Sequence, residues 1–175
     1  MKILIIDNNL HIPLYPQSLL IRACLGTEYF WNTKICKPTE LSDKDISVDR
    51  VILTGSTAFI RQNQDWMNKE IDFVEKCMKL NIPVLGICFG AQLLAKHIFG
   101  EKSIVALPFP INGSVSVEYK GNCPLFKGLP NPLGVMSTHY EGFIVPEEYT
   151  IAKTLEWPCY GFFHSENVYG IQFHP

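Results

Sequence analysis

The chain has 175 residues, with 15 Lys and Arg against 17 Asp and Glu and a formal net charge of −2 at pH 7. Hydrophobic residues make up 47% and charged residues 18% of the chain, a composition that argues against intrinsic disorder. The charge balance gives no reason to expect nucleic acid or a membrane as a partner, and no apolar run reaches the roughly 18 residues that a membrane span requires. The length predicts a single domain, residues 1–175.

Short apolar strands and amphipathic helices alternate as far as Gly100. The predicted strands are residues 2–6, Glu28–Cys36, Val51–Thr54 and Val84–Ile87. The predicted helices are Gln17–Leu25, a long helix from Asp65 that ends before Asn81 and Pro83, and Phe89–Phe99. A loop marked by Pro13 and Pro16 precedes the first helix. In the long helix one face is predicted to carry Met67, Ile71, Val74 and Met78.

After Gly100 the sequence predicts short strands separated by Pro, Gly and Asn. These strands are Val115–Tyr119, Leu133–Ser137, Thr150–Thr154, Gly161–His164 and Val168–Phe173. We therefore expect an α/β fold with a doubly wound, mostly parallel sheet and helices on both faces, to which a region of antiparallel hairpins is added.

The six cysteines are spaced in a way that predicts neither a zinc site nor a disulfide framework. They lie at positions 24, 36, 77, 88, 123 and 159, so no two form a Cys-x-x-Cys pair. The apolar run at the N-terminus ends at Asp7 and is too short for a secretory signal peptide. We therefore expect reduced thiols, a cytoplasmic location, and no metal or other cofactor.

A Gly-x-Cys-x-Gly pattern at Gly86, Cys88 and Gly90 stands at a predicted strand-to-helix junction. This is the cysteine form of a nucleophile elbow, a tight turn that lifts one side chain above the sheet edge. The glycines would make room for the turning backbone, and the helix N-terminus would favour a Cys88 thiolate. The backbone N–H of Phe89 would face a developing oxyanion. The alternative is a buried cysteine between glycines that only allow close packing.

A nucleophilic thiol needs a base, and the chain has histidines at positions 11, 97, 139, 164 and 174. His11 lies in a proline-flanked loop and His97 lies within the helix after Cys88, which favours surface or packing roles for both. His139 and His174 each follow a predicted strand, at the edge where the catalytic groups of open α/β sheets lie. Periodicity does not choose between these two.

Three segments resemble those of class I, triad-type glutamine amidotransferases. Residues 86–95 (GICFGAQLLA) are similar to the nucleophile segment of that family, and residues 169–175 (YGIQFHP) to its C-terminal His-Pro-Glu segment. Residues 135–139 (VMSTH) resemble the Ser-His region of the GMP-synthetase-like branch. The motifs stand in the family's order, and the resemblance covers nearly the whole chain.

The resemblance implies a flavodoxin-like α/β fold and hydrolysis of the side-chain amide of glutamine. By this resemblance Cys88 forms a γ-glutamyl thioester and His174 moves the proton. The chain has no nucleotide-binding loop, so a synthetase partner on another chain would accept the ammonia. The further implied residues are Ser56 and the Phe89 N–H for the oxyanion, and Gly55, Gln92, Thr138, His139 and Tyr140 for the substrate.

Three features depart from the family's pattern. The family has a Glu two residues after its His, followed by a helix. The sequence ends at Pro175 and contains neither, so we expect a domain that lacks the usual C-terminal residues. The family's Ser-Gly-Gly-Pro oxyanion loop reads Thr-Gly-Ser-Thr at residues 54–57, and Ser56 adopts a positive φ less easily than Gly. The family's Ser-His-x-Asp appears with one residue shifted, at residues 137–141, which weakens an assignment to GMP synthetase itself.

Two other functions stay open on the sequence alone. A stand-alone γ-glutamyl hydrolase would share the thioester chemistry and need no acceptor. A non-catalytic amidotransferase-like protein would bind a partner or ligand, and the altered oxyanion loop and absent Glu are compatible with it.

Overall fold

The computed structural model describes residues 1–10, 16–165 and 167–175, so His11 and the predicted loop residue Pro13 lie outside the described residues. The helices are α1 (Pro16–Cys24), α2 (Thr27–Phe30), α3 (Asp65–Lys79) and α4 (Phe89–Phe99). The strands are β1 (Ile3–Ile6), β2 (Thr33–Cys36), β3 (Arg50–Leu53), β4 (Val84–Ile87), β5 (Ile104–Tyr119), β6 (Leu133–Phe143), β7 (Thr150–Lys153), β8 (Gly161–His164) and β9 (Val168–Ile171). No helix within these described ranges is long and apolar enough to cross a membrane.

The strands form one sheet in the order β2-β1-β3-β4-β9-β8-β7-β5-β6. The strands from β2 to β9 are parallel neighbours, and the pairs from β9 to β6 are antiparallel. The strand order changes direction between β1 and β3, which is where ligands bind in open α/β sheets. The predicted α/β class, with an antiparallel region added to a parallel sheet, is confirmed.

Helices cover both faces of the parallel strands. Leu4 of β1 belongs to a buried cluster that also contains Leu94 of α4. Ile5 belongs to a second cluster, against which Ile21 of α1 packs. Successive residues of a strand point to opposite sides of the sheet, so α4 and α1 lie on opposite faces, as the doubly wound arrangement requires.

The strand predicted from Glu28 to Cys36 is wrong over its first part. α2 occupies Thr27–Phe30, and β2 covers only the last four residues of the predicted range. The N–H of Phe30 donates to the carbonyl oxygen of Gly26 (3.1 Å), as in a helix. The Arg22 guanidinium of α1 lies 4.3 Å from the centroid of the Phe30 ring. Phe30 thus packs against a side chain of the preceding helix, and the β propensity of the aromatic residues is overridden.

The second half of the chain differs from the predicted hairpins in two ways. β9 pairs in parallel with β4 as well as antiparallel with β8, so the last strand belongs to the parallel part of the sheet. β5 has 16 residues and β6 has 11, and they form a hairpin much longer than the predicted strands. The first difference positions the site, because it places the residues after β9 next to those after β4.

α3 begins at Asp65 as predicted, but its buried face is rotated from the predicted one. Met67 and Val74 are buried, whereas Ile71 and Met78 are only partly buried. The rest of the buried face consists of Trp66, Glu70, Phe73 and Cys77.

Candidate active site

β4 and α4 meet in a tight turn at Cys88, as the Gly-x-Cys-x-Gly pattern predicts. Cys88 has φ 52° and ψ −106°, and such a conformation costs a non-glycine residue about 1–3 kcal/mol. Its N–H donates to the carbonyl oxygen of Ile171 at the end of β9 (2.8 Å). The N–H of Gly90 donates to the carbonyl oxygen of Thr54, which follows β3 (3.1 Å). The turn is therefore tied to the neighbouring strand on each side.

The two glycines of this turn provide space for close backbone approach. A Cβ on Gly86 would lie 2.6 Å from the backbone nitrogen of Ala91, and a Cβ on Gly90 would lie 2.6 Å from the carbonyl oxygen of Leu53. Both obstacles are backbone atoms, which cannot move away without displacing the turn or β3. The elbow roles that the sequence predicts for Gly86 and Gly90 thus have a steric basis.

A cavity of about 200 Å³ lies at the carboxyl ends of the parallel strands. The predicted site residues that the structure brings together around it are Gly55, Ser56, Cys88, Gln92, Thr138, His139, Tyr140 and His174. The rest of the lining comes from Asn9, Gln17, Thr57, Ala58, Phe59 and Glu141. Phe89 lies outside this lining and its ring stacks on Trp66, so only its backbone can serve the site.

The Cys88 side chain lines this cavity although the residue is only 5% exposed. Burial raises the pKa of the thiol to about 12, while hydrogen bonds from the Phe89 N–H and the Gln172 side chain act in the opposite direction. Sγ donates to the carbonyl oxygen of Thr138 (3.8 Å) and accepts from Nε2 of Gln172 (3.7 Å). Desolvation of the sulfur outweighs these two hydrogen bonds and favours the neutral thiol over the expected thiolate.

His174 enters the same cavity from the end of β9. Its backbone N–H donates to the carbonyl oxygen of Met136 in β6 (2.9 Å), which fixes its position. Its Nδ1 lies 2.6 Å from Nε2 of Gln17 in α1. Burial lowers the pKa of the imidazole and favours its neutral form. A neutral imidazole that shares a cavity with a thiol meets the first requirement for a general base.

His139, the other candidate base, has both ring nitrogens engaged. Nδ1 lies 2.8 Å from the carbonyl oxygen of Glu141, and Nε2 lies 3.0 Å from the hydroxyl of Tyr160. Because a carbonyl can only accept, Nδ1 carries the proton and Nε2 accepts from the tyrosine. Burial also lowers the pKa of this imidazole to about 4. The geometry therefore favours His174 over His139 as the base, and His139 lines the cavity as a neutral side chain.

The loop after β3, which the sequence assigns to the oxyanion, is held by asparagines from the loop after β1. Asn9 donates from Nδ2 to the carbonyl oxygen of Gly55 (3.1 Å), and its Oδ1 accepts from the N–H of Thr57 (3.3 Å). Ser56 donates from Oγ to the carbonyl oxygen of Asn8 (2.7 Å). Ser56 is not among the described residues with positive φ, so the strain expected from Ser in place of Gly does not arise.

Gln92 lines the cavity as predicted, but its amide nitrogen already has partners. Nε2 donates to the carbonyl oxygen of Glu141 (2.5 Å) and to Oε1 of Gln172 (3.2 Å). Gln172 in turn donates to Cys88. Gln92 therefore contacts the side chain that donates to Cys88, and only its own side-chain oxygen remains to contact a ligand in the cavity.

The sequence analysis assigned no role to four side chains of the site, which are Asn9, Gln17, Glu141 and Gln172. The buried Glu141 carboxylate accepts from the backbone N–H of Ile60 (2.7 Å) and pairs with Arg61 (2.5 Å), which joins β6 to the loop after β3. Glu141 and Gln172 lie within segments that carry the family resemblance, residues 137–141 and 169–175, and that position was a usable signal. Nothing in the local pattern distinguishes Gln17 from an ordinary helical glutamine.

The six cysteines are all free. Among the described residues, no three His, Cys, Asp or Glu side chains cluster in a way that could hold a metal ion.

The chain is similar to known proteins in both sequence and fold. The profile of the family described as glutamine amidotransferase class-I matches residues 16–175. A glutamine-hydrolyzing GMP synthase subunit of Thermoplasma acidophilum is 30% identical over 148 residues, which are 82% of this chain and 71% of that protein. The GMP synthase of Caldicellulosiruptor saccharolyticus is 33% identical over 130 residues, which are 71% of this chain but 24% of that longer protein.

A solved structure described as a GMP synthase subunit from Thermoplasma acidophilum has a TM-score of 0.82 and 29% identity, and the similarity covers 100% of this chain and 84% of that one. The family match includes the Cys88 elbow, the loop after β3 and the segment that carries His174. Together with the arrangement of these parts around one cavity, the match shows that this chain belongs to the class I glutamine amidotransferases.

Proposed function

We propose that Cys88 and His174 carry out hydrolysis of the glutamine side-chain amide, and that the ammonia passes to an acceptor on a synthetase partner chain. The observation that supports this most directly is the placement of both residues on one small cavity at the carboxyl ends of β4 and β9. At about 200 Å³ the cavity is smaller than the roughly 300–1,000 Å³ that is common for drug-sized ligands, which suits a single amino-acid side chain.

In the proposed reaction the Cys88 sulfur attacks the amide carbon as its proton moves to His174. The tetrahedral intermediate collapses with cleavage of the C–N bond, and His174 returns the proton to the leaving ammonia. Water then adds to the γ-glutamyl thioester, the C–S bond breaks, and glutamate leaves as the thiol is restored. The balance is glutamine plus water to glutamate plus ammonia.

The proposed oxyanion donors are the backbone N–H groups of Phe89 and Ser56. The Phe89 N–H is directed to the sulfur, where it lowers the thiol pKa. The N–H of Gly55 donates to Gln17 (3.1 Å), which favours Ser56 as the donor that the loop after β3 supplies. Donors of this kind stabilise the charge that develops on the carbonyl oxygen.

The synthetase partner is proposed from the relatives. The protein of Thermoplasma acidophilum is named as one subunit of a glutamine-hydrolyzing GMP synthase, and this chain covers 71% of it. We extend that to a GMP-synthetase-like arrangement in which residues 1–175 form one glutaminase domain that works beside a separate synthetase chain. Six free thiols support the proposed cytoplasmic location.

An electrophilic glutamine analogue and a glutaminase assay test this proposal. The analogue should label the buried Cys88 but not the exposed Cys24, because only Cys88 lies in a cavity that binds the glutamine group. Cys88→Ala should abolish ammonia release, and the matched Cys24→Ala variant should keep it. Labelling of Cys24 but not of Cys88, measured by peptide mass spectrometry, would contradict the proposal.

One observation favours a non-catalytic protein as the second candidate. Burial raises the pKa of Cys88 to about 12, and among the described contacts no hydrogen bond joins its sulfur to His174. A glutaminase rate equal to that of Cys88→Ala, with and without a synthetase partner, would favour this candidate. Faster turnover of γ-glutamyl peptides than of glutamine would indicate a hydrolase instead.

A further inference from the structure

Gln17 of α1 joins the oxyanion loop to the imidazole of His174. Its Oε1 accepts from the backbone N–H of Gly55 (3.1 Å), and its Nε2 lies 2.6 Å from Nδ1 of His174. The three residues are closely packed, because a Cβ on Gly55 would lie 3.1 Å from both Gln17 Oε1 and His174 Cε1. One amide therefore contacts two parts of the proposed machinery.

The Gly55 N–H fixes the orientation of the Gln17 side-chain amide, that is, which of its oxygen and nitrogen faces His174. A backbone N–H can only donate, so the oxygen of Gln17 must face it and the –NH₂ group must face His174. The amide then donates to Nδ1, which must carry a lone pair and no proton. The neutral imidazole is thereby held with its proton on Nε2. An imidazolium, which has N–H groups at both positions, would place two donors against each other.

This tautomer cannot act as the base. With Nδ1 occupied by Gln17, Nε2 is the ring nitrogen left to receive the thiol proton, and Nε2 already carries one. An independent contact agrees: the Cys88 thiol donates to the carbonyl oxygen of Thr138 (3.8 Å) rather than to His174. The site is thus described in a resting arrangement.

We propose that Gln17 is a positioning residue that keeps His174 in this non-basic tautomer, and that glutamine hydrolysis requires the Gln17 amide to leave Nδ1. The inference rests on the proposed function, since it assigns His174 the role of base. Once the amide has left, the proton can reside on Nδ1 and Nε2 can accept the thiol proton. Rotation of the Gln17 side chain or a shift of α1 would suffice.

Gln17→Glu separates this role from simple support of the fold. A carboxylate can accept from the Gly55 N–H with one oxygen and from a His174 Nδ1–H with the other, so both contacts persist while the favoured tautomer reverses. Gln17→Ala removes both contacts. Gln62→Glu is the matched control, because exposed Gln62 also accepts a backbone N–H, from Phe59 (3.3 Å).

The first readout is the ¹⁵N NMR spectrum of histidine-labelled protein, with His174 assigned by loss of its signals in His174→Gln. We expect Nε2–H in the unchanged protein and in Gln62→Glu, and Nδ1–H in Gln17→Glu. The second readout is the rate at which iodoacetamide alkylates Cys88, followed from pH 6 to 9 by peptide mass spectrometry. At pH 7 this rate should rise at least about tenfold in Gln17→Glu, because an Nε2 lone pair can take the thiol proton.

The other titratable groups that line the cavity are His139, Tyr140 and Glu141, and none is changed in these variants. Nδ1–H in the unchanged protein, or alkylation that slows equally in Gln17→Glu and Gln17→Ala, would overturn the inference. Neither readout uses glutamine. A tautomer reversal with no glutaminase activity in any variant would therefore support the inference about His174 and reject the proposed function.

Discussion

Replacing Gly90 with alanine tests whether close approach of α4 to β3 sets the elbow. The added Cβ would lie 2.6 Å from both the Cβ and the carbonyl oxygen of Leu53, about 1 Å inside the usual carbon contact distance. Leu53 is fully buried, so we take the upper end of the overpacking range, about 3 kcal/mol. Alanine regains up to about 1 kcal/mol as the better helix former, and the net loss is about 2 kcal/mol.

For a chain of this size, that loss should lower Tm by about 4–8 °C. Thermal unfolding followed by circular dichroism measures this shift. Gly121→Ala is the matched control: Gly121 has no atom within 4 Å of its added Cβ and is not among the described glycines with positive φ. Its Tm should stay level or rise slightly. If both variants unfold at the same temperature, the close contact with Leu53 does not constrain the turn.

Three further predictions concern buried groups of the site and its support. Cys88→Gly should be more stable than Cys88→Ala by about 1 kcal/mol in urea unfolding, because glycine relieves the strain of a φ of 52° and this gain exceeds the entropic cost of glycine. A glycine variant less stable than the alanine variant would show that the backbone at Cys88 is not strained. Burial raises the pKa of Glu70 to about 8 from 4.5, so the folded state holds a proton that the unfolded state releases, and stability should fall as pH rises from about 5 to 8. Glu70→Gln should flatten that fall in Tm, and equal slopes would refute the buried neutral carboxyl. Since burial raises the Cys88 pKa to about 12, its alkylation by iodoacetamide should still be accelerating between pH 8 and 9, whereas a plateau would indicate a thiolate already formed.

The elbow and its flanking elements could be predicted because their signals are local. β4 and α4 have the predicted bounds, Val84–Ile87 and Phe89–Phe99, since an apolar run, a glycine-bounded turn and an amphipathic helix are all encoded by neighbouring residues. The strand predicted from Glu28 fails for the opposite reason. There, packing of Phe30 beneath the Arg22 guanidinium outweighs the β propensity of the aromatic residues.

By itself the sequence determined the α/β class, the position of the elbow that carries the proposed nucleophile, and the family, because motifs and hydrophobic periodicity are properties of adjacent residues. Only the tertiary structure decided that both ring nitrogens of His139 are engaged, how strongly burial raises the Cys88 pKa, and that Gln17 contacts His174. Gln17 and His174 are 157 positions apart in the chain. Their contact depends on β9 lying parallel to β4, and the protonation of both reacting groups depends on how much water the surrounding elements exclude.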